Sequence, residues 1–140
     1  MAPSDPELLT LTNEDERFYP LLGPLLARRT VHKALGGYAP FDDDGKTWIV
    51  ARDPAGRTLG FVGLTPRATT KDLHVESLYV APGERAALYT LLLRAAVRAA
   101  DGRALHATAA RARRDHFLAA GFTHIPFTEK FDKFTREATP

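Results

Sequence analysis

Apolar residues recur along this chain with two periods, near two and near 3.6, and the changes from one to the other mark its elements. Residues 7–12 predict a short first strand, and Asn13 is placed to cap a helix over 14–19. Pro20 and Pro24 interrupt that pattern, because proline lacks a donor and clashes with the preceding turn. The region therefore predicts two short helices, one reaching about Arg29 and one over 30–35 that Gly36 and Gly37 end. The following segment, GGYAPFDDDGK, carries glycine, proline and three consecutive aspartates, and should form a surface loop that either borders a substrate site or is a solvated turn. Residues 47–52 and 58–64 are β-rich and flank DPAGR, which predicts a tight turn and an antiparallel pair. A strand over 73–80 alternates so that His74, Glu76, Leu78 and Val80 share one face while Val75, Ser77 and Tyr79 share the other. Pro82 and Gly83 stop it. The period then lengthens: Leu88, Leu91, Leu92, Ala95, Ala96 and Ala99 make one apolar stripe on a helix that Asp101 and Gly102 end. A strand over 104–108, a helix over 111–120 closed by Gly121, and strands over 122–127 and 131–135 complete the order. No repeat or linker interrupts it, so one domain over residues 1–140 is expected.

Composition narrows the chemistry. A chain of 140 residues buries roughly 70% of the surface its unfolded form exposes and needs no covalent staple. Without cysteine, disulfides, thiolate metal sites and cysteine nucleophiles are excluded together, and a reducing cytoplasm is the expected compartment. The five histidines, at 32, 74, 106, 116 and 124, never take the spacing of a zinc site, so no metal is expected. The start, MAPSDPELL, is acidic where a signal peptide is basic, and no apolar run approaches the ~18 residues of a membrane span. The net charge of +2 is unevenly spread. From Glu84 to Arg114 seven arginines stand against Glu84 and Asp101, a local +5 that fits either a solvated helix face or an anionic ligand. Tyr89 is the one aromatic residue there, and no nucleic-acid-reading motif accompanies it, so a nucleic-acid partner is not expected.

The order of elements, together with ESLYVAPGERAALYTLLLRAA and the later RARRDHFLAAGF, resembles the GNAT (Gcn5-related N-acetyltransferase) superfamily. The similarity is best from about Thr47 to Phe122; the first 45 residues match only in arrangement. The resemblance implies an α/β fold with a mixed, mostly antiparallel central sheet of six to seven strands and about four helices. It also implies a place for acetyl-CoA or another acyl-CoA. In the family an L-Y-V-x-P strand leads through Arg/Gln-x-x-Gly-x-Gly/Ala into a long helix, and Leu78, Tyr79, Val80 and Pro82 match that strand. Such a junction suits a diphosphate on physical grounds, since free N–H groups and the helix dipole meet there. A bulge or splay at Tyr79 and Val80 would let the strand pair with the pantetheine amides. Arg85 matches the first loop position and Ala86, Ala87 and Tyr89 fill the free positions, but Leu88 and Thr90 stand where the glycines would be and narrow the cradle. Aligning on Gly121 and Phe122 puts Phe117 at the family's tyrosine acid, Arg113 at an alanine and Ala110 at an asparagine. The usual acid is absent, and a coenzyme thiolate leaves tolerably without one.

The reaction so implied is direct acyl transfer from a thioester to an amine that must first lose a proton. Glu76 and His74 are the candidate acceptors of that proton, directly or through water, against the plainer readings of Glu76 in an ion pair with an arginine and His74 as a half-exposed strand residue. The backbone N–H of Val80 is the expected oxyanion donor. Trp48 reads as a core residue, and His106 and His124 receive no role. Two functions stay open: an acyl-CoA-dependent N-acyltransferase with an unidentified amine acceptor, and a non-catalytic GNAT-like domain binding coenzyme A or a protein partner. A homodimer is compatible with either.

Overall fold

A computed structural model describes residues 6–35, 45–67 and 69–139. Seven strands lie in one sheet: β1 (Glu7–Leu11), β2 (Thr47–Arg52), β3 (Thr58–Pro66), β4 (Leu73–Val80), β5 (Leu105–Ala110), β6 (Thr123–Pro126) and β7 (Phe131–Arg136). Their spatial order is β1-β2-β3-β4-β5-β7-β6, and every neighbouring pair is antiparallel except β4 with β5. Helices α1 (Phe18–Leu26), α2 (Arg29–Ala34), α3 (Ala87–Ala100) and α4 (Arg114–Ala119) complete the α/β fold expected from the order of elements. The loop at 36–46 lies outside the described residues apart from Gly45 and Lys46. Among the described residues no helix is long and apolar enough to cross a membrane.

Two apolar layers sandwich the sheet. Leu88, Leu92 and Ala96 of the α3 stripe pack with Ile49, Val62, Leu64, Val75 and Val80, while Phe18 and Leu22 of α1 and Val31 of α2 pack with Trp48, Val50, Phe61 and Tyr79. Trp48 is fully buried, as a core residue should be. The helix expected over 14–19 is replaced by turns. Asp15 accepts the Arg17 backbone N–H at 2.9 Å and its guanidinium at 3.0 Å, a local ring that delays the helix to Phe18. Once begun, α1 runs through both prolines: Pro20 stands in the first turn, where its missing N–H costs nothing, and only Pro24 is interior.

Two irregularities in β4 shape everything that follows. Phe61 pairs with Tyr79 and Gly63 with Glu76, so two steps on β3 face three on β4: one extra residue is inserted, and Ser77 takes it up in the left-handed region at φ 60°. This bulge lies two residues before the expected place. It also resets the alternation, which corrects the face assignment made from period two alone: Val75 and Val80 now share the α3 face, while Glu76 and Tyr79 lie on the α1/α2 side. The second irregularity is that β4 and β5 pair only through Leu73–Leu105 and His74–His106. Beyond that point β5 follows β7 over six pairs and parts from β4, splitting the sheet.

Candidate active site

The split holds a cavity of about 600 Å³. Its walls are residues 74–79 of β4, residues 107–110 of β5, Lys33 and Ala34 of α2 with Leu35 just past its end, Tyr89 of α3, Arg113 from the turn before α4, and Phe117 of α4. Strand hydrogen bonding places a main-chain donor at this gap. Ala81 donates its N–H to the Leu59 carbonyl at 2.8 Å, and since donors alternate sides along a strand, the Val80 N–H points away from β3 into the gap that β5 leaves.

Both candidate proton acceptors line this cavity. Glu76 is held by one oxygen only: Oε2 accepts from Lys46 Nζ at 3.2 Å and from Thr65 Oγ1 at 3.1 Å, while Oε1 has no protein partner among the described residues. Its ion-pair partner is thus a lysine, not the arginine expected. Lys46 is 1% exposed and lies 4.3 Å over the Trp48 ring, so within the apolar layer its Nζ is met by the Glu76 carboxylate on one side and by a ring face on the other. Its stem crosses Gly63, where any side chain would occupy the same space.

His74 stands beside His106 in register, and His106 Nε2 meets Asp72 Oδ2 at 2.9 Å. Burial pushes the His74 imidazole below its ordinary 6.5; Glu76 pulls the other way, but Arg67, His106 and Lys46 add to the effect of burial. A base whose folded pKa is depressed is neutral in the native state at pH 7. Its contribution to stability is complete above the unfolded value and is lost as pH falls from about 6.5 through the folded one. Urea unfolding between pH 8 and 5 is therefore expected to show stability declining below pH 6.5, with a shallower decline in His74→Gln; identical slopes would contradict the buried neutral imidazole.

The residues expected to bind a coenzyme divide. Leu78, Tyr79, Tyr89 and Phe117 line the cavity, and Val80 follows directly along the strand. Leu88 and Thr90 are both turned to other uses. Leu88 is 2% exposed within the α3 core, and Thr90 Oγ1 is bonded to His116 Nδ1 at 2.9 Å. At the start of α3 the Leu88 and Tyr89 amides bend back to the Arg85 and Ala86 carbonyls, leaving the N–H groups of Arg85, Ala86 and Ala87 as donors without a partner among the described residues. Arg85 lines a separate cavity of about 260 Å³ together with Asp53, Arg57 and Glu84. Phe117 stacks on Phe134 at 4.1 Å and meets Phe122 edge-on at 5.1 Å, so it forms an apolar floor. Three site residues were not singled out from the sequence: Lys46, Thr65 and Arg113. Lys46 had a signal, since it stands two residues before a core tryptophan at a strand start and so shares its face; Arg113 was lost in the run RARR.

No protein-family model matches the sequence, and no curated protein matches it either. Solved structures do match the fold. Escherichia coli ElaA superposes with a TM-score of 0.72 over 94% of this chain and 99% of its own at 11% identity. An acyl-CoA N-acyltransferase from Pseudomonas aeruginosa gives 0.70 over 95% and 99% at 17% identity. Spermidine N-acetyltransferase from Vibrio cholerae, in complex with CoA and spermine, gives 0.64 over 94% and 95% at 15% identity.

Proposed function

We propose that this chain, which has the GNAT fold, binds acyl-CoA along the split between β4 and β5 and passes the acyl group, in the first instance acetyl, to a primary amine by direct attack. The observation that carries this reading is Glu76, which lines the cavity and is anchored through Oε2 by Lys46 and Thr65, with Oε1 left without a protein partner among the described residues. Such a carboxylate is fixed in position and still has lone pairs for a proton. The residues present fit the coenzyme: an unpaired strand edge for the pantetheine amides, and helix-start donors at Arg85, Ala86 and Ala87. Bound there, a thioester supplies an electrophilic carbonyl and a thiolate leaving group. The Val80 N–H is aimed to receive charge developing on the carbonyl oxygen. Glu76 Oε1 takes the amine proton, and the neutral His74 beyond it can pass that proton on through water. The amine approaches from the α1/α2 side, where Lys33 to Leu35 border the cavity. The amine acceptor named for the Vibrio cholerae protein supports this class of substrate.

The buried Leu88 and the missing hydroxyl at Phe117 favour a second reading, a domain that binds coenzyme A without turnover. Melting curves with and without acetyl-CoA, followed by an acetyl-transfer assay over a panel of amines, separate the two. A ligand at 100 times its dissociation constant adds about 2.7 kcal/mol, several degrees in Tm for a domain of this size. Stabilisation with transfer supports the enzyme, and stabilisation without transfer to any amine supports the binding domain. No shift at millimolar coenzyme would sink both.

A further inference from the structure

We infer that Arg113, not Arg85, supplies the main side-chain grip on the coenzyme's phosphates; this deepens the acyl-CoA reading and rests on it. The run Arg111-Ala112-Arg113-Arg114 divides its charges unequally. Arg111 Nε and Arg114 Nε bind the two oxygens of the buried Asp132 carboxylate at 3.1 and 3.0 Å, and Arg111 also donates to the Thr128 carbonyl at 2.8 Å. Burial alone would raise the Asp132 pKa, but the hydrogen bonds from Arg114 and Arg111 outweigh it and keep the carboxyl ionised. Those two arginines are thereby committed. Arg113 forms no ion pair among the described residues, and it lines the cavity between the separated strands.

Its guanidinium is also held in place. The central carbon lies 4.1 Å over the Tyr89 ring, and Tyr89 in turn faces His116 at 5.2 Å, whose Nδ1 is bonded to Thr90. Burial, with Arg113 adding to it, pushes His116 below its ordinary pKa, so His116 contributes a hydrogen bond here and not a competing charge. Stacking fixes the plane of a guanidinium and leaves its N–H edge free, and that edge matches two phosphate oxygens at once. Thr90, one of the two residues whose bulk narrows the helix-start cradle, therefore holds His116 against Tyr89, and Tyr89 is the platform that orients a cation on the α4 side. Arg85 is poorly placed to grip a phosphate, because the small cavity it lines also contains Asp53 and Glu84, both bonded to Arg57 and both repulsive to an anion.

The test is calorimetric titration of coenzyme A, 3′-dephospho-coenzyme A and pantetheine into wild type, Arg113→Ala, Arg113→Lys and Arg85→Ala. Arg113→Ala is expected to weaken coenzyme A by about 10- to 100-fold, the range of a lost charge-assisted pair, and to leave pantetheine unchanged. Arg113→Lys should recover part of the loss, because it restores charge without the fork, and Arg85→Ala, which removes the side chain but keeps the main-chain N–H donor, should stay within about threefold of wild type. An equal loss with the dephospho form places the grip on the diphosphate, and a loss confined to coenzyme A places it on the 3′-phosphate; each supports the assignment. Wild-type affinity in Arg113→Ala, an equal loss of coenzyme A and pantetheine, or the main loss in Arg85→Ala overturns it while leaving the acyl-CoA reading intact. Failure of the wild type to bind coenzyme A overturns both.

Discussion

Glu76→Gln is expected to lower turnover about 100-fold or more near neutral pH while coenzyme affinity hardly changes. Glutamine keeps the shape of the side chain and can still accept from Thr65, so the substitution removes the proton acceptor with little else. The loss should shrink at high pH, where the amine arrives already deprotonated. One side effect needs a control, because Lys46 is 1% exposed and loses the counter-charge of Glu76. Lys46→Met in the same background should regain stability without regaining turnover. Equal activity of Glu76→Gln and wild type across pH would remove Glu76 from the mechanism and leave His74 as the candidate.

The largest loss of stability is expected from Leu88→Gly combined with Thr90→Gly. Restoring two glycines would open the start of α3 to a diphosphate if these side chains were mere obstructions. Leu88, however, is 2% exposed and belongs to the layer that contains Val80, Leu92 and Ala96. Truncating a buried leucine costs about 2–5 kcal/mol, and each glycine in a helix about 1 kcal/mol more. Thr90→Gly also deletes the bond to His116 and loosens the support under Tyr89. The sum is a large part of the roughly 5–15 kcal/mol that holds a typical domain together. Urea melts should record that loss, and calorimetry should find no gain in coenzyme affinity. A gain with only a small loss of stability would mean that the glycine-type cradle was waiting to be uncovered.

The order of elements along the chain was legible because each element carries its own period and its own stop signal. Asp53-Pro54 and Gly56 mark the β2–β3 turn, and Asp101 and Gly102, both at positive φ, mark the end of α3. The bulge was not legible. Nothing in HVESLYV distinguishes Ser77 from any other small strand residue, since its conformation is imposed by pairing with β3: Phe61 and Gly63 each take their own partner and leave one residue over. The same limit hid Lys46, whose partner lies 30 residues on, and Arg113, which only the three-dimensional commitments of Arg111 and Arg114 leave free. The late start of α1 failed for a different reason. Asn13 has the chemistry of a cap, but Asp15 closes a competing turn with Arg17, and local competition of this kind is not resolved by residue type.

The extra residue in β4 makes the strand a counter of odd and even. Upstream of Ser77 the odd positions, Leu73 and Val75, enter the α3 layer; downstream the even position Val80 does. Substitutions along β4 change what is presented on each side, but a change of length by one residue changes which side presents it. Deleting a single position at the bulge would hold either Glu76 or Val80 in place and send the other to the wrong layer. The carboxylate and the Val80 N–H would then no longer meet across one cavity, even though every residue named in the chemistry would still be present. A change of length between residues 73 and 80 should accordingly do more harm than a conservative substitution at any one position there other than Glu76 or His74.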